Sequence, residues 1–253
     1  MSSPFTIIAK AGGSGEGAEN TCAAIAAALA VPLPEGARLA VEVDVRLSAD
    51  GALLALHDAT LERTTDGVGL VRERSLRQLR ELRTGPQREW IPLLEEVSEQ
   101  VGEHELVVEV QDADVRAAQA LVHCLGRLRA PARQRVIVAS EHGSVVRAVR
   151  GLDPGLRSAA SAPEAWRKLL CARLGLNRWA ARGHTWMVPA RHRGIQVVTE
   201  RFARSVRSSG DELWVYVVED AAEAQRLRAL GASGCFTTRP RALCAELARG
   251  LLS

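Results

Sequence analysis

The sequence predicts an α/β fold, one parallel sheet enclosed by helices, and three observations predict it. Short runs rich in Val, Ile and Leu recur along the chain, as strands buried on both faces do. Amphipathic helical stretches lie between them, and strand-helix alternation is the pattern of a parallel sheet. The 253 residues, 47% hydrophobic and 25% charged, supply apolar surface for a large core, and no Gly/Ser/Pro linker divides them. A single domain over residues 1–253 is therefore expected.

Taken in order, the first strand is expected over Phe5–Ala9, where Thr is the one polar residue in an apolar run. A helix over Cys22–Leu29 follows, then a strand over Leu39–Val45 and an apolar run from Ala52 to Leu56. The stretch from Asp58 to about His104 breaks the rhythm, with the turn-rich Thr64-Thr65-Asp66-Gly67-Val68-Gly69 and short helical patterns at Ser75–Leu82 and Leu93–Val101. It reads as an excursion after the second strand, and loops on a rigid scaffold often carry function. Strands then recur at Leu106–Val110, Val136–Ala139, Trp186–Val188 and Leu213–Val218. The helical patterns between and after them cover Ala113–Leu128, Val145–Val149, Pro163–Ala181, Phe202–Ser208, Ala221–Leu230 and Arg241–Leu252.

A net charge of +3, from 33 Lys+Arg against 30 Asp+Glu, is too balanced for bulk electrostatics to imply nucleic acid or a membrane surface as a partner. The cysteines (Cys22, Cys124, Cys171, Cys235, Cys244) are odd in number and form no CxxC pair, so they read as small buried hydrophobes in a reducing compartment. The first residues lack a basic leader pattern, and no run approaches the roughly 20 apolar residues of a membrane span. A cytoplasmic location is the expectation. Lysine occupies positions 10 and 168 alone, all other basic residues being arginine.

The informative residues are carboxylates inside apolar strands. In Leu-Ala-Val-Glu42-Val-Asp44-Val the alternation of a strand puts both acids on one face, opposite the valines, and Leu-Val-Val-Glu109-Val-Gln111 repeats the arrangement. Buried carboxylates need a cation, either arginine or metal. For three acids on two strands the metal is the better reading, and oxygen-only ligands suit a hard dication, Mg²⁺ or Ca²⁺. His57, which ends the apolar run Leu-Leu-Ala-Leu, could exchange a proton near neutral pH. His104, His123, His142, His184 and His192 fall in helical or polar stretches and receive no role.

Linked motifs then extend along nearly the whole chain. They are Ala-Glu19-Asn20-Thr21, Val-Glu42-Val-Asp44-Val-Arg46, Leu-His57-Asp58 with Arg63-Thr64-Thr65-Asp66-Gly67, Ile91-Pro92, Val-Glu109-Val, Trp214-Val-Tyr216-Val-Val-Glu219-Asp220 and Gly234-Cys-Phe-Thr-Thr-Arg239-Pro240. Together they resemble the glycerophosphodiester phosphodiesterase family. The resemblance implies a (β/α)₈ TIM barrel with its site at the C-terminal strand ends. It implies hydrolysis of a small-molecule phosphodiester to glycerol 3-phosphate and an alcohol, using Mg²⁺ or Ca²⁺ and two histidines. It makes Glu42, Asp44 and Glu109 the metal ligands, His57 one catalytic histidine, and Glu19, Asn20 and Tyr216 substrate-site residues.

The departures from that pattern are as informative. The family's His-Arg-Gly after the first strand is Lys10-Ala11-Gly12 here, and the lysine expected two residues after the third ligand is Gln111. Trp-Thr-Val-Asn becomes Tyr216-Val217-Val218-Glu219, and two late acidic positions are Ser233 and Thr238. Lys10 thus takes a catalytic position. Three readings follow: a phosphodiesterase with altered acid–base machinery, a repurposed barrel using Lys10 for lyase, cyclase or Schiff-base chemistry, and a non-catalytic binder in which Lys10 pairs with the acids. Arg63 reads as an ion-pair partner.

Overall fold

A computed structural model describes residues 4–176 and 185–250. Its strands are β1 (Phe5–Ala9), β2 (Ala37–Leu47), β3 (Leu53–Ala55), β4 (Glu105–Val110), β5 (Val136–Ala139), β6 (Arg157–Ser158), β7 (Thr185–Pro189), β8 (Arg191–His192), β9 (Ile195–Gln196), β10 (Glu212–Tyr216) and β11 (Gly234–Thr237). The first five helices are α1 (Cys22–Leu29), α2 (Leu76–Leu79), α3 (Leu94–Val101), α4 (Val115–Gly126) and α5 (Ala130–Gln134). The others are α6 (Gly143–Leu152), α7 (Ala162–Arg173), α8 (Glu200–Arg207), α9 (Ala221–Leu230) and α10 (Pro240–Gly250).

Eight strands pair in parallel in the order β6-β5-β4-β2-β1-β11-β10-β7. A parallel bridge from Ala159 to Thr185 brings β6 against β7, so the sheet is a nearly closed (β/α)₈ barrel. The apolar runs of the sequence became strands where expected. Two barrel strands lacked that signal for physical reasons. The inward residue of β6 is the charged Arg157, and β11 opens on Gly234, where a Cβ would lie 2.6 Å from the carbonyl of Thr6 on β1. The expected helix at Pro163–Ala181 ends at Arg173, and its last residues, with His184, lie outside the described part, as does the tip of the last helix.

The alternation of side chains sorts each strand into an inner and an outer set. Inside the barrel, Ile8, Ala40, Val107, Ile137, Ala159, Trp214 and Phe236 form one apolar layer. Outside, the opposite faces pack under the helices in two larger clusters, one around β2 and β4 and the other around β7 and β10. Beneath the inner layer lies a charged one. Arg38 donates to Thr6 Oγ1 (2.7 Å) and Glu212 (2.6 Å), while Arg157 reaches Glu105 at 2.5 Å. Above it, at the C-terminal strand ends, stand Lys10, Glu42, Glu109 and Tyr216.

Two features position the site beyond the barrel itself. The short β3 turns back antiparallel to β2, pairing Val45 with Ala55, so the chain leaves it beside the upper end of β2. Residues after it fold around a separate cluster of Leu54, Leu56, Leu61, Val71, Leu79 and Ile91, while α3 packs against α1, β3 and β4. No helix among the described residues is long and apolar enough to cross a membrane.

The charged lower layer should carry measurable stability. Arg38→Ala leaves Glu212 without its shortest partner and Glu105 with Arg157 alone. An expected loss of about 2 kcal/mol follows from removing one member of a partly buried ionic network. Equilibrium unfolding in urea of Arg38→Ala against wild type measures it.

Candidate active site

The register of three strands assembles the carboxylates. On β2 and β4, Asp44 pairs directly with Glu109, and Glu42 lies one pleat below Asp44 on the same face. Glu42, Asp44 and Glu109 each offer an oxygen, and these atoms lie within 4.8 Å of one another. Glu42 and Asp44 are both 1% exposed. Such a set could hold a metal ion, and one atom argues for it: Glu42 Oε1 is buried with no hydrogen-bond partner. A buried carboxylate oxygen left bare at the centre of two further carboxylates matches the donor chemistry of a hard dication.

The first loop, with Gln111 after β4, holds the other oxygen of Glu42 and both oxygens of Asp44. Ala9 pairs with Val41, which sets Lys10 beside Glu42 as β1 ends. Ala11 then adopts φ 47°, a left-handed conformation unusual for alanine, and its N–H donates to Glu42 Oε2 at 2.6 Å. Gly12 continues the turn at φ 74°, where a Cβ would stand 3.1 Å from Ile25 Cγ1. Asn20, at φ 56°, grips Asp44 twice: its Nδ2 donates to Oδ2 and its Oδ1 accepts from the backbone N–H, both at 3.0 Å. Gln111 Nε2 donates to Asp44 Oδ1 at 2.6 Å.

Charge in this cluster is poorly screened. Burial, reinforced by Asp44, pushes Glu42 well above the ordinary carboxylate range, and Lys10 and the Ala11 N–H oppose this only in part. Glu109 is raised for the same leading reason. The field of Glu42, with smaller help from Asp44, Glu109 and Glu19, raises Lys10 despite its burial. Lys10 does not fill the acidic pocket, since no carboxylate lies within ion-pair distance of its ammonium among the described residues. Tyr216 closes the mouth from β10, 40% exposed, with its ring edge-on to Phe236 at 6.1 Å. Burial first, then Glu109 and Glu141, raises its hydroxyl.

His57 follows β3, where Leu56 N–H binds the carbonyl of Asp44 at 3.0 Å. Its carbonyl accepts from Arg46 Nε (2.8 Å), and its Nδ1 lies 2.7 Å from Asp58 Oδ1. Asp58 is gripped by Arg63, whose Nε and Nη2 reach its two oxygens at 2.5 and 2.9 Å. The same guanidinium holds both oxygens of Glu19, at 2.7 and 2.6 Å. Arg63 is the leading reason that Asp58 is held below the usual carboxylate range. With Asp58 an acceptor, Nδ1 carries the proton and Nε2 is the ring atom left for substrate.

The geometry thus brings Lys10, Asn20, Glu42, Asp44, Glu109 and Tyr216 together at the C-terminal strand ends, and ties His57 to Glu19 through Asp58 and Arg63. Two of them do something more specific than the sequence suggested: Asn20 spends both ends on Asp44, and Glu19 on Arg63. Arg46 and Asp58 stand within the motifs and Gln111 at a position where the family carries lysine, but their linking roles left no signal in the sequence.

Known proteins resemble this chain over its length. A profile of the Glycerophosphoryl diester phosphodiesterase family matches residues 11–242. A glycerophosphodiester phosphodiesterase from Caldanaerobacter subterraneus is 26% identical over 262 aligned residues, covering 96% of this chain and 98% of that protein. Among solved structures, the glycerophosphoryl diester phosphodiesterase domain of a Mycobacterium tuberculosis protein superposes with a TM-score of 0.80 at 20% identity, covering 98% of this chain and 100% of that one. An Oleispira antarctica phosphodiesterase in complex with its product sn-glycerol-3-phosphate superposes at 0.74 with 23% identity, covering 96% of each chain.

Two outcomes test this geometry. Because Glu42 and Glu109 are raised in the folded state, the metal-free protein binds more protons than the unfolded chain above about pH 4.3, so its stability falls as pH rises from there through the raised values. Thermal melts across pH should show that fall, and millimolar Mg²⁺ or Ca²⁺ should reverse it; at about 100 times Kd the gain is about 2.7 kcal/mol. Glu42→Gln should flatten the pH dependence and abolish the metal response. Separately, Arg63→Met should free His57, so that its imidazole ¹⁵N signals move from a single Nδ1–H tautomer to a tautomer mixture, with Arg63→Lys intermediate.

Proposed function

Because the chain belongs to the glycerophosphoryl diester phosphodiesterase family, we propose that it hydrolyses glycerophosphodiesters to glycerol 3-phosphate and an alcohol, with Lys10 and His57 dividing the proton transfers. Glu42, Asp44 and Glu109 would hold a Mg²⁺ or Ca²⁺ ion. When bound, that ion supplies Lewis-acid stabilisation of charge on the phosphoryl oxygens. The chemistry particular to this chain lies in its own side chains.

The observation that carries the reading is the place of the Lys10 ammonium, beside Glu42 at the acidic pocket yet outside ion-pair distance of any carboxylate among the described residues. A lysine, protonated at neutral pH in its ordinary range, is a poor general base there. It remains a competent acid toward an alkoxide, which is a far stronger base than a lysine amine. His57 takes the complementary part. Its Nε2 accepts a proton from the attacking water as the new P–O bond forms; the bond to the alcohol oxygen breaks, and that oxygen takes a proton from Lys10 Nζ, so that one water is consumed and glycerol 3-phosphate and the free alcohol leave. Solvent then returns the proton from His57 to Lys10.

Lys10 also offsets a deficit. Relative to the family pattern, arginine is Ala11 and lysine is Gln111, so two cations that would face the phosphate are gone. The guanidinium of Arg63 is occupied by Glu19 and Asp58, and that of Arg46 by His57 and Asp112. Lys10 is the cation left uncommitted to a carboxylate beside the pocket.

Release of glycerol 3-phosphate from a panel of glycerophosphodiesters, with dication and with chelator, tests the activity. His57→Ala should lower kcat on every diester. Lys10→Met should lower it about 100- to 1,000-fold for simple alkyl alcohols, within the range for lost general acids, but less than about tenfold for a p-nitrophenyl diester, whose leaving group needs no proton. No glycerol 3-phosphate from any diester would reject the reading; equal losses on both leaving groups would reject the acid role of Lys10.

A further inference from the structure

Between residues 165 and 199 the chain contains seven basic residues and no acid, although the whole protein has 30 acids against 33 Lys+Arg. The described part of this stretch forms one side of the barrel: α7, the β8–β9 hairpin and the strand between them. Leu169, Ala172, Trp186, Val188, Val197 and Val198 are buried in the core, but other apolar residues of the stretch are not turned inward. Trp166, Leu170, Leu174, Leu176 and Ile195 are all 40% exposed or more, Leu174 reaching 63%.

Helix geometry organises them. At about 100° per residue, Arg173, Trp166, Leu170, Leu174 and Arg167 follow one another around an arc of about 120°. The arc is therefore apolar at its centre and edged on both sides by exposed arginines. The hairpin joins the same surface. His192 meets the ring of Trp166 edge-on, 5.5 Å between centroids, and Arg173 Nη2 donates to the carbonyl of Gln196 at 3.4 Å. At the hairpin tip, Arg193 and Gly194 take φ of 47° and 80°, and Arg191 and Arg193 are exposed. The acids that bound the stretch are spent elsewhere: Glu164 binds Arg150 at 2.7 Å and caps α7 through Ser161, and Glu200 pairs with Arg204.

We propose that this flank docks the protein onto an anionic lipid bilayer, with Trp166, Leu170 and Leu174 entering the interface and Arg167, Arg173, Arg191 and Arg193 contacting lipid phosphates. An apolar arc with arginine edges is the form of an interfacial helix, whose arginines can lay their stems along the apolar surface and keep their charge at the headgroups. Negative surface potential attracts such a cluster. A second copy of the chain is a poor occupant, because a twofold contact would set these arginines against each other with no acid to separate them. The docking surface is independent of the chemistry at the barrel mouth.

Sedimentation of the full chain with vesicles tests it, comparing phosphatidylglycerol mixed with phosphatidylcholine against phosphatidylcholine alone. Wild type should pellet with the anionic vesicles, be released by salt, and remain in solution with the neutral ones. Arg167→Glu with Arg173→Glu should weaken binding roughly 30-fold or more, and Leu170→Ser with Leu174→Ser should abolish it. Neither pair should alter the melting temperature or the hydrolysis of soluble diesters. Wild type left in solution with both vesicles, equal binding to both, or undiminished binding by the charge-reversed variant would overturn the proposal. So would a concentration-dependent dimer in sedimentation velocity that Leu170→Ser disperses.

Discussion

Three carboxylates on two neighbouring strands of a barrel cannot all be buried and ionised without something to answer them, and the upper half of this protein is arranged around that repulsion. Glu42, Asp44 and Glu109 are brought together by strand register alone. Each additional contact either spreads their charge or leaves room for a cation. The Ala11 N–H takes one oxygen of Glu42, Asn20 and Gln111 take those of Asp44, and Glu42 Oε1 is left bare. The left-handed turns at Ala11 and Asn20 make sense in this light. Each costs backbone energy and delivers a donor to a carboxylate that would otherwise have none.

The departures from the family pattern meet one another in space. Glu219 replaces an amide and Thr238 replaces an acid, and the two are in contact: Thr238 donates to Glu219 Oε1 from its N–H (3.0 Å) and its hydroxyl (2.9 Å). The acid has moved from the end of one strand to the end of its neighbour. Likewise Gln111, a neutral residue where a lysine is usual, donates to Asp44, while the ammonium has moved to position 10. Here Gln111, Glu219 and Thr238 each make a polar contact within the chain.

How much of this was legible depended on whether the signal was local. The alternation Val-Glu42-Val-Asp44-Val announces its own burial, because acids on one face of an apolar strand have no other economical explanation. Strands β6 and β11 were silent because their inward residues, Arg157 and Gly234, answer to distant neighbours across the barrel floor and to β1. Arg63 could be read as an ion-pair partner, but not that it binds Glu19 and Asp58 together, since those residues are 44 and 5 positions away in sequence. Distances of that kind are set by the fold.

Net charge illustrates the same limit from the other side. A total of +3 averages a barrel mouth rich in acids against a stretch of sequence, residues 165–199, that has none. The two regions demand different things of solvent. At the mouth, low dielectric and mutual repulsion make each carboxylate sensitive to a single nearby cation. On the flank, exposed arginines in water contribute almost nothing to one another, and their effect is felt only by an extended surface of opposite sign. The average of the two is close to neutral, and it describes neither.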